Sequence, residues 1–199
     1  KDASVSVEND TLDLNVDDRY ELNATTVPGF QSVEYVSSDE SVATVTDYGL
    51  VTAVGEGTAI ITVTVGNGET YAINSTNVTV KVSKLPSEIT TVKDSIDMTV
   101  NEEFGAPASL IPSAAGDLTY VISDESVINI VNDTIVAIGA GKANVTYSFA
   151  GNDKYAAAES KTIQVTVTAK DLPKTITKDT INCYFDKNGV YVADLDEIT

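Results

Sequence analysis

Carboxylates are the side chains best supplied for chemistry in this chain. Asp and Glu number 30 against 12 Lys and Arg, for a net charge of −18 over 199 residues. Two carboxylate pairs repeat, Asp39-Glu40 and Asp124-Glu125, each followed by Ser-Val. Glycoside hydrolysis needs two carboxylates facing each other across a cleft, about 5–9.5 Å apart. Adjacent residues at a strand-to-turn junction do not build that arrangement. Identical copies in two places point instead to a structural turn, in which Asp and Ser side chains bond the local backbone. Calcium needs several oxygen ligands around one point. Asp194, Asp196 and Glu197 are the candidate ligands near the end of the chain, and Asp17 and Asp18 lie with Glu8 and Asp10 in a second acidic stretch. No loop has EF-hand spacing, and solvated acidic turns account for both clusters without a metal. No other cofactor is expected.

The chain has no histidine, one cysteine and no tryptophan. Histidine-based triads and Cys–His zinc sites are therefore excluded, as is an intrachain disulfide. Cys183 lies in the strand-like run Ile181-Asn182-Cys183-Tyr184-Phe185 with only Lys178 and Lys187 as nearby bases, so it reads as a structural strand cysteine. Six Asn-x-Ser/Thr sequons occur, at Asn9, Asn23, Asn74, Asn77, Asn132 and Asn144. That is about twice what this composition gives by chance, and it favours an exported protein with Asn-linked glycan candidates. A Lys–Asn isopeptide crosslink beside a buried acid is disfavoured, because few lysines fall on apolar faces.

Nucleic acid is excluded as a partner, since phosphate binding needs a basic patch. An anionic membrane surface is disfavoured by the same charge. No run reaches the roughly 18 apolar residues of a membrane helix, and no direct membrane insertion is expected. The chain opens without a charged-then-apolar leader and in mid-pattern, as an excised segment of a longer protein would.

The elements that position these groups are short and extended. Valine, isoleucine and threonine alternate with polar residues and are cut by Gly, Asp and Pro, the pattern of antiparallel strands with one buried face. Residues 35–65 carry this most clearly, and residues 120–149 repeat it. Positions 35–45 match 120–130 at seven of eleven residues. One residue is then missing, the counterpart of Gly49. Beyond it Ala53, Gly55, Gly57, Ala59 and Thr62 match Ala137, Gly139, Gly141, Ala143 and Thr146. A fixed period that keeps its glycines means one structural unit built twice. The expected modules are residues 1–84 and 85–170, joined at Lys84-Leu85-Pro86-Ser87. About eight strands are expected in the first, one of them running from Tyr20 through Leu22 to Thr25. Leu172-Pro173, Ile176-Thr177 and Lys178-Asp179-Thr180-Ile181 repeat the opening of the second module. Residues 171–199 are thus the expected opening strands of an incomplete third module. They are expected to pair with an exposed sheet edge of the second module or of a neighbouring molecule.

The run Gly49-Leu50-Val51-Thr52-Ala53-Val54-Gly55-Glu56-Gly57-Thr58-Ala59-Ile60-Ile61-Thr62-Val63-Thr64-Val65, preceded by Ser38-Asp39-Glu40-Ser41-Val42-Ala43-Thr44-Val45, resembles the bacterial immunoglobulin-like group 2 domain. The second module is similar but departs at Asp133 and Thr134, where the family prefers Gly and an aliphatic residue. Tyr35 lies near a position where the family often has Trp. Phe149-Ala150-Gly151-Asn152-Asp153-Lys154-Tyr155 resembles a motif of tandem Ig-like repeats in adhesin-like surface proteins, bacterial and methanogen archaeal. The resemblance implies all-β, tandem Ig-like sandwiches, an extracellular, cell-surface setting and no shared catalytic residues. The function it implies is non-enzymatic: spacing or presenting an adhesive region, and binding a surface protein or glycan of a host or neighbouring cell. Loops at residues 27–31 and 150–155 are the ligand-binding candidates. The alternative is an accessory or carbohydrate-binding module of a secreted carbohydrate-active enzyme, which a flat exposed row of Tyr side chains would favour.

Overall fold

The computed structural model describes residues 1–29, 32–170, 183–185 and 191–193. The first 84 residues form nine strands: β1 (Ser4–Ser6), β2 (Thr11–Asn15), β3 (Arg19–Glu21), β4 (Thr25–Val27), β5 (Val33–Ser37), β6 (Ala43–Val45), β7 (Leu50–Ala53), β8 (Gly57–Val65) and β9 (Asn74–Ser83). They make a four-stranded sheet in the order β2-β9-β8-β5, a three-stranded sheet β3-β7-β6 and a ribbon β1-β4. The second set follows as β10 (Glu88–Thr91), β11 (Ser95–Thr99), β12 (Glu103–Gly105), β13 (Ala108–Ile111), β14 (Thr119–Ile122), β15 (Ile128–Val131), β16 (Thr134–Ala137), β17 (Gly141–Phe149) and β18 (Ala158–Thr168). Its sheets are β11-β18-β17-β14, β12-β16-β15 and β10-β13, the same pairings strand for strand. In both sets all pairs are antiparallel except β2 with β9 and β11 with β18, which run parallel. These are tandem Ig-like β-sandwiches.

Alternation in the sequence builds each core. Along β8, Ala59, Ile61, Val63 and Val65 face inward, and along β17 Ala143, Val145, Tyr147 and Phe149 do the same. Two separate clusters result: one gathers Val5, Leu12, Val51, Ile61 and Val80, the other Ile89, Ile96, Ile135, Val145 and Val165. Taking each such side chain out of water contributes about 1.5–3 kcal/mol.

The single strand expected from Tyr20 to Thr25 is two. β3 pairs with β7, while β4 pairs with β1. Leu22 sits between them, buried, with its amide on the Gly49 carbonyl at 2.8 Å. The chain passes here from one partner strand to another, which alternation alone does not signal.

The missing residue has a structural cause. In module 1 the β6–β7 loop ends on Gly49, at φ 84°, as a tight turn closed by a left-handed glycine. A Cβ there would lie 2.9 Å from both the Leu22 carbonyl oxygen and Tyr35 Cζ, so Tyr35 packs on the bare glycine. In module 2 the β15–β16 hairpin uses two residues, Asn132 (φ 48°) and Asp133 (φ 56°), a primed turn that Asn and Asp tolerate. Without a glycine seat, Tyr120 turns outward, 43% exposed. Tyr147, in the place of Val63, fills the core instead, its ring 6.2 Å from that of Tyr120. Burial and the nearby Asp133 and Tyr120 push the Tyr147 phenol up to about 12.

In the tail, β19 (Cys183–Phe185) and β20 (Tyr191–Ala193) pair antiparallel with each other. Among the described residues no tail strand joins a sheet of the second module.

Gly49→Ala combines a disfavoured backbone conformation with a blocked contact. It should lower the unfolding free energy of module 1 by about 2 kcal/mol, read in urea denaturation, and leave module 2 unchanged. An unshifted transition would show that the Tyr35 seat adapts without cost.

Candidate functional site

The acidic turns act on their own backbone. Asp39 Oδ1 accepts hydrogen bonds from the Ser41 hydroxyl at 2.6 Å and the Ser41 amide at 3.0 Å. Asp124 does the same with Ser126, at 2.6 and 2.9 Å. The serine hydroxyl, and then its amide, hold both carboxyls below the usual aspartate range. Preceding serines complete the turn. Ser38 Oγ accepts from the Ile60 amide and Ser123 Oγ from the Asn144 amide, both at 2.8 Å. Glu40 and Glu125 are exposed. Neither turn forms a facing carboxylate pair.

All six sequon asparagines are exposed. Asn132 stands at the tip of the β15–β16 hairpin, Asn74 and Asn77 on β9, and Asn144 on β17. Asn9 Nδ2, the atom a glycan would take, donates to Tyr20 Oη at 2.7 Å. Asn77 Oδ1 accepts from Thr62. The calcium candidates Asp194, Asp196 and Glu197 lie outside the described residues, as do Phe30 and Gln31 of the first candidate loop. Among the described residues no group of three or more acidic, Cys or His side chains is placed to hold a metal.

The second candidate loop, residues 150–155, lies at the joint between the modules. Gly151 turns it at φ 80°, and Asn152 Oδ1 gathers the amides of Lys154 and Tyr155. The linker is strapped to it: the Leu85 amide donates to the Lys154 carbonyl at 2.8 Å, and the Ala156 amide donates to the Leu85 carbonyl at 2.9 Å. Ser87 Oγ adds a bond to the Ala156 carbonyl. Facing this loop, module 1 offers the turn after β2. Asp17 sits there at φ 74°, held by its amide on the Ala53 carbonyl, while Asp18 Oδ2 caps the Asn15 amide. The Lys154 ammonium pairs with Asp17 Oδ2 across the two modules and also lies over the Tyr155 ring, 5.9 Å from its centroid. The hydrogen bond to Asp17 and that residue's charge raise the Lys154 pKa. A second ion pair, Lys84 with Glu56 at 3.8 Å, ties the end of β9 to the β7–β8 turn.

Sequence reasoning found the loop by its turn residues and missed its partner, because Lys154 and Asp17 are 137 positions apart. The one signal was a Lys beside a Tyr in an otherwise acidic chain.

The aspartate turns make a pH prediction. A carboxyl whose folded pKa is depressed adds stability that is present above the unfolded pKa and is lost as pH falls through the folded one. Replacing Ser41→Ala or Ser126→Ala should move the neighbouring Asp part of the way up toward its ordinary value in an NMR titration, the amide bond remaining, and move acid unfolding to higher pH. Unchanged titration would mean that the hydroxyl bond contributes nothing.

Residues 2–76 match the family model for the bacterial Ig-like domain (group 2). No curated protein sequence matches the chain. Among solved structures, domains 1–6 of the surface layer protein SbsC align at 15% identity with a TM-score of 0.43, covering 98% of this chain and 32% of that one. The chain thus spans about a third of that structure. Titin domains Z1Z2, solved in complex with telethonin, align at 12% identity and a TM-score of 0.45, over 84% of this chain and 98% of that one. The first module, which carries the Gly49 hairpin and the Ser-Asp-Glu-Ser turn, is thus the part of the chain that is similar to the bacterial Ig-like (group 2) family.

Proposed function

We propose that this chain is a non-enzymatic segment of an adhesin-like cell-surface protein, and that it spaces and presents a region carried elsewhere in the parent. One observation carries this reading: the linker is not a free tether. Leu85 is bonded on both sides to the loop of the next module, and that loop reaches back to Asp17 through Lys154. A joint held at the backbone and pinned by a charge pair transmits orientation from one sandwich to the next. The extracellular setting rests on the family of the first module and on six exposed sequons. A carbohydrate-binding module would want a row of exposed rings. Among residues 1–170 the exposed tyrosines are Tyr48 and Tyr120, and they lie in different modules.

Two measurements test the reading. Labelled chain offered to a panel of whole cells and glycans, with and without calcium, should show no saturable binding. Saturable binding would make this a recognition module and direct attention to its loops. Residual dipolar couplings should report one shared alignment for the two modules. Lys154→Ala should broaden that shared orientation with both modules still folded. Independent alignment in the unmodified chain would sink the spacer reading.

A further inference from the structure

The top of module 1 is built like the top of module 2. The Lys1 backbone nitrogen donates to the Thr70 carbonyl at 3.2 Å, and the Ala72 amide donates to the Lys1 carbonyl at 2.8 Å. These are the two bonds that Leu85 makes with Lys154 and Ala156, shifted by one module. The loop beneath is wrapped in the same manner. The Gly68 amide bonds the Tyr71 carbonyl as the Asn152 amide bonds the Tyr155 carbonyl, and Asn67 Oδ1 collects the amides of Glu69, Thr70 and Tyr71.

The cation near this tyrosine comes from a different position in the sequence. Thr70 stands where module 2 has Lys154, so the loop of module 1 has no lysine to offer. Lys1, standing where the linker has Leu85, supplies one instead. Its Nζ lies 5.8 Å from the centroid of the Tyr71 ring, as Lys154 Nζ lies 5.9 Å from that of Tyr155. Both loops carry an acid two residues before the tyrosine, Glu69 in one and Asp153 in the other. The ammonium-over-tyrosine arrangement is therefore kept through a change in which residue provides it. In module 2 that arrangement receives Asp17.

We propose that the Lys1–Tyr71 end of module 1 is a docking seat for the acidic turn of another Ig-like module, the turn being of the kind module 1 itself carries at Asp17. The partner chemistry is specific. The turn after β11 in module 2 keeps the same backbone, with Asn101 at φ 73° and Glu102 capping the Thr99 amide, but it has a neutral amide where module 1 has the carboxylate. The seat thus favours a module with the Asp17 type of turn over one with the Asn101 type. The inference rests on reading the chain as a stretch of a module array, and it adds which face meets which.

The test joins a second copy of residues 1–84 directly ahead of Lys1, so that Lys1 follows Lys84 as Leu85 does in the chain itself. Residual dipolar couplings then report three modules. The expected result is one alignment for all three, with Asp17→Asn in the added copy, or Lys1→Gln in the recipient, releasing only the added module. Charge reversal gives a second reading: Asp17→Lys in the added copy should release it, and Lys1→Glu in the recipient should restore it. An added module that tumbles freely while the Lys154 joint stays ordered would overturn the seat and leave the spacer reading standing. Disorder at the Lys154 joint as well would strike at the spacer reading itself.

Discussion

Each sandwich depends on the place where the chain leaves one sheet for the other. β5 belongs to the four-stranded sheet and β6 to the three-stranded one, and residues 38–42 carry the chain across. The amide and hydroxyl of Ser38 clasp β8 at Ile60, while the Val42 carbonyl accepts the amides of Val54 and Gly55 beyond β7. The crossing is tight. A Cβ on Gly55 would lie 2.8 Å from the Ser41 carbonyl oxygen, and one on Gly57 would lie 2.7 Å from Val42 Cγ2. Gly139 meets Ser126, and Gly141 meets Val127, in the same way at 2.6 and 2.7 Å. At Gly55 and Gly139 the neighbour is backbone, which leaves room for glycine alone, while at Gly57 and Gly141 it is a valine methyl. The repeated Ser-Asp-Glu-Ser-Val and Gly-x-Gly runs are thus the two halves of one contact.

Where that contact is not involved, the copies have drifted in a correlated way. Tyr35, Gly49 and Val63 form one packing solution, with the ring lying on a bare glycine. Tyr120, the two-residue Asn132-Asp133 turn and Tyr147 form another, with the larger ring moved one strand over into the core. The second solution leaves the Tyr147 hydroxyl buried without a hydrogen-bond partner, a cost of about 1–3 kcal/mol. Losing a glycine from the hairpin and gaining a tyrosine in β17 are coupled changes, because a core holds its volume more strictly than its side-chain identities.

Much of this was legible in the sequence. Alternation gave the strands, the kept glycines gave the repeat, and the copied Asp-Glu-Ser gave a turn rather than a catalytic pair. The glycines were read there as breaks, whereas Gly55 and Gly57 serve a close approach, which a sequence does not distinguish from a turn. The division of one expected strand into β3 and β4 was also hidden, since both halves keep the same alternation and differ only in their partners. The joint was hidden for a different reason. Its bonds run largely through backbone atoms, which every residue has, and its charged partners are distant in sequence.

The charge balance makes that joint matter more for orientation than for stability. Asp17 and Lys154 are both exposed, and an exposed pair is screened over about 8 Å at physiological salt. The pair alone would not hold two domains together. But with 30 acids against 12 bases, most encounters between two module surfaces are repulsive. A lysine fixed over a tyrosine at one point makes a single relative placement attractive against a background that disfavours the others. The backbone straps at Leu85 have by then removed most of the freedom of the linker, so a weak directional pair is enough to select among the few orientations that remain.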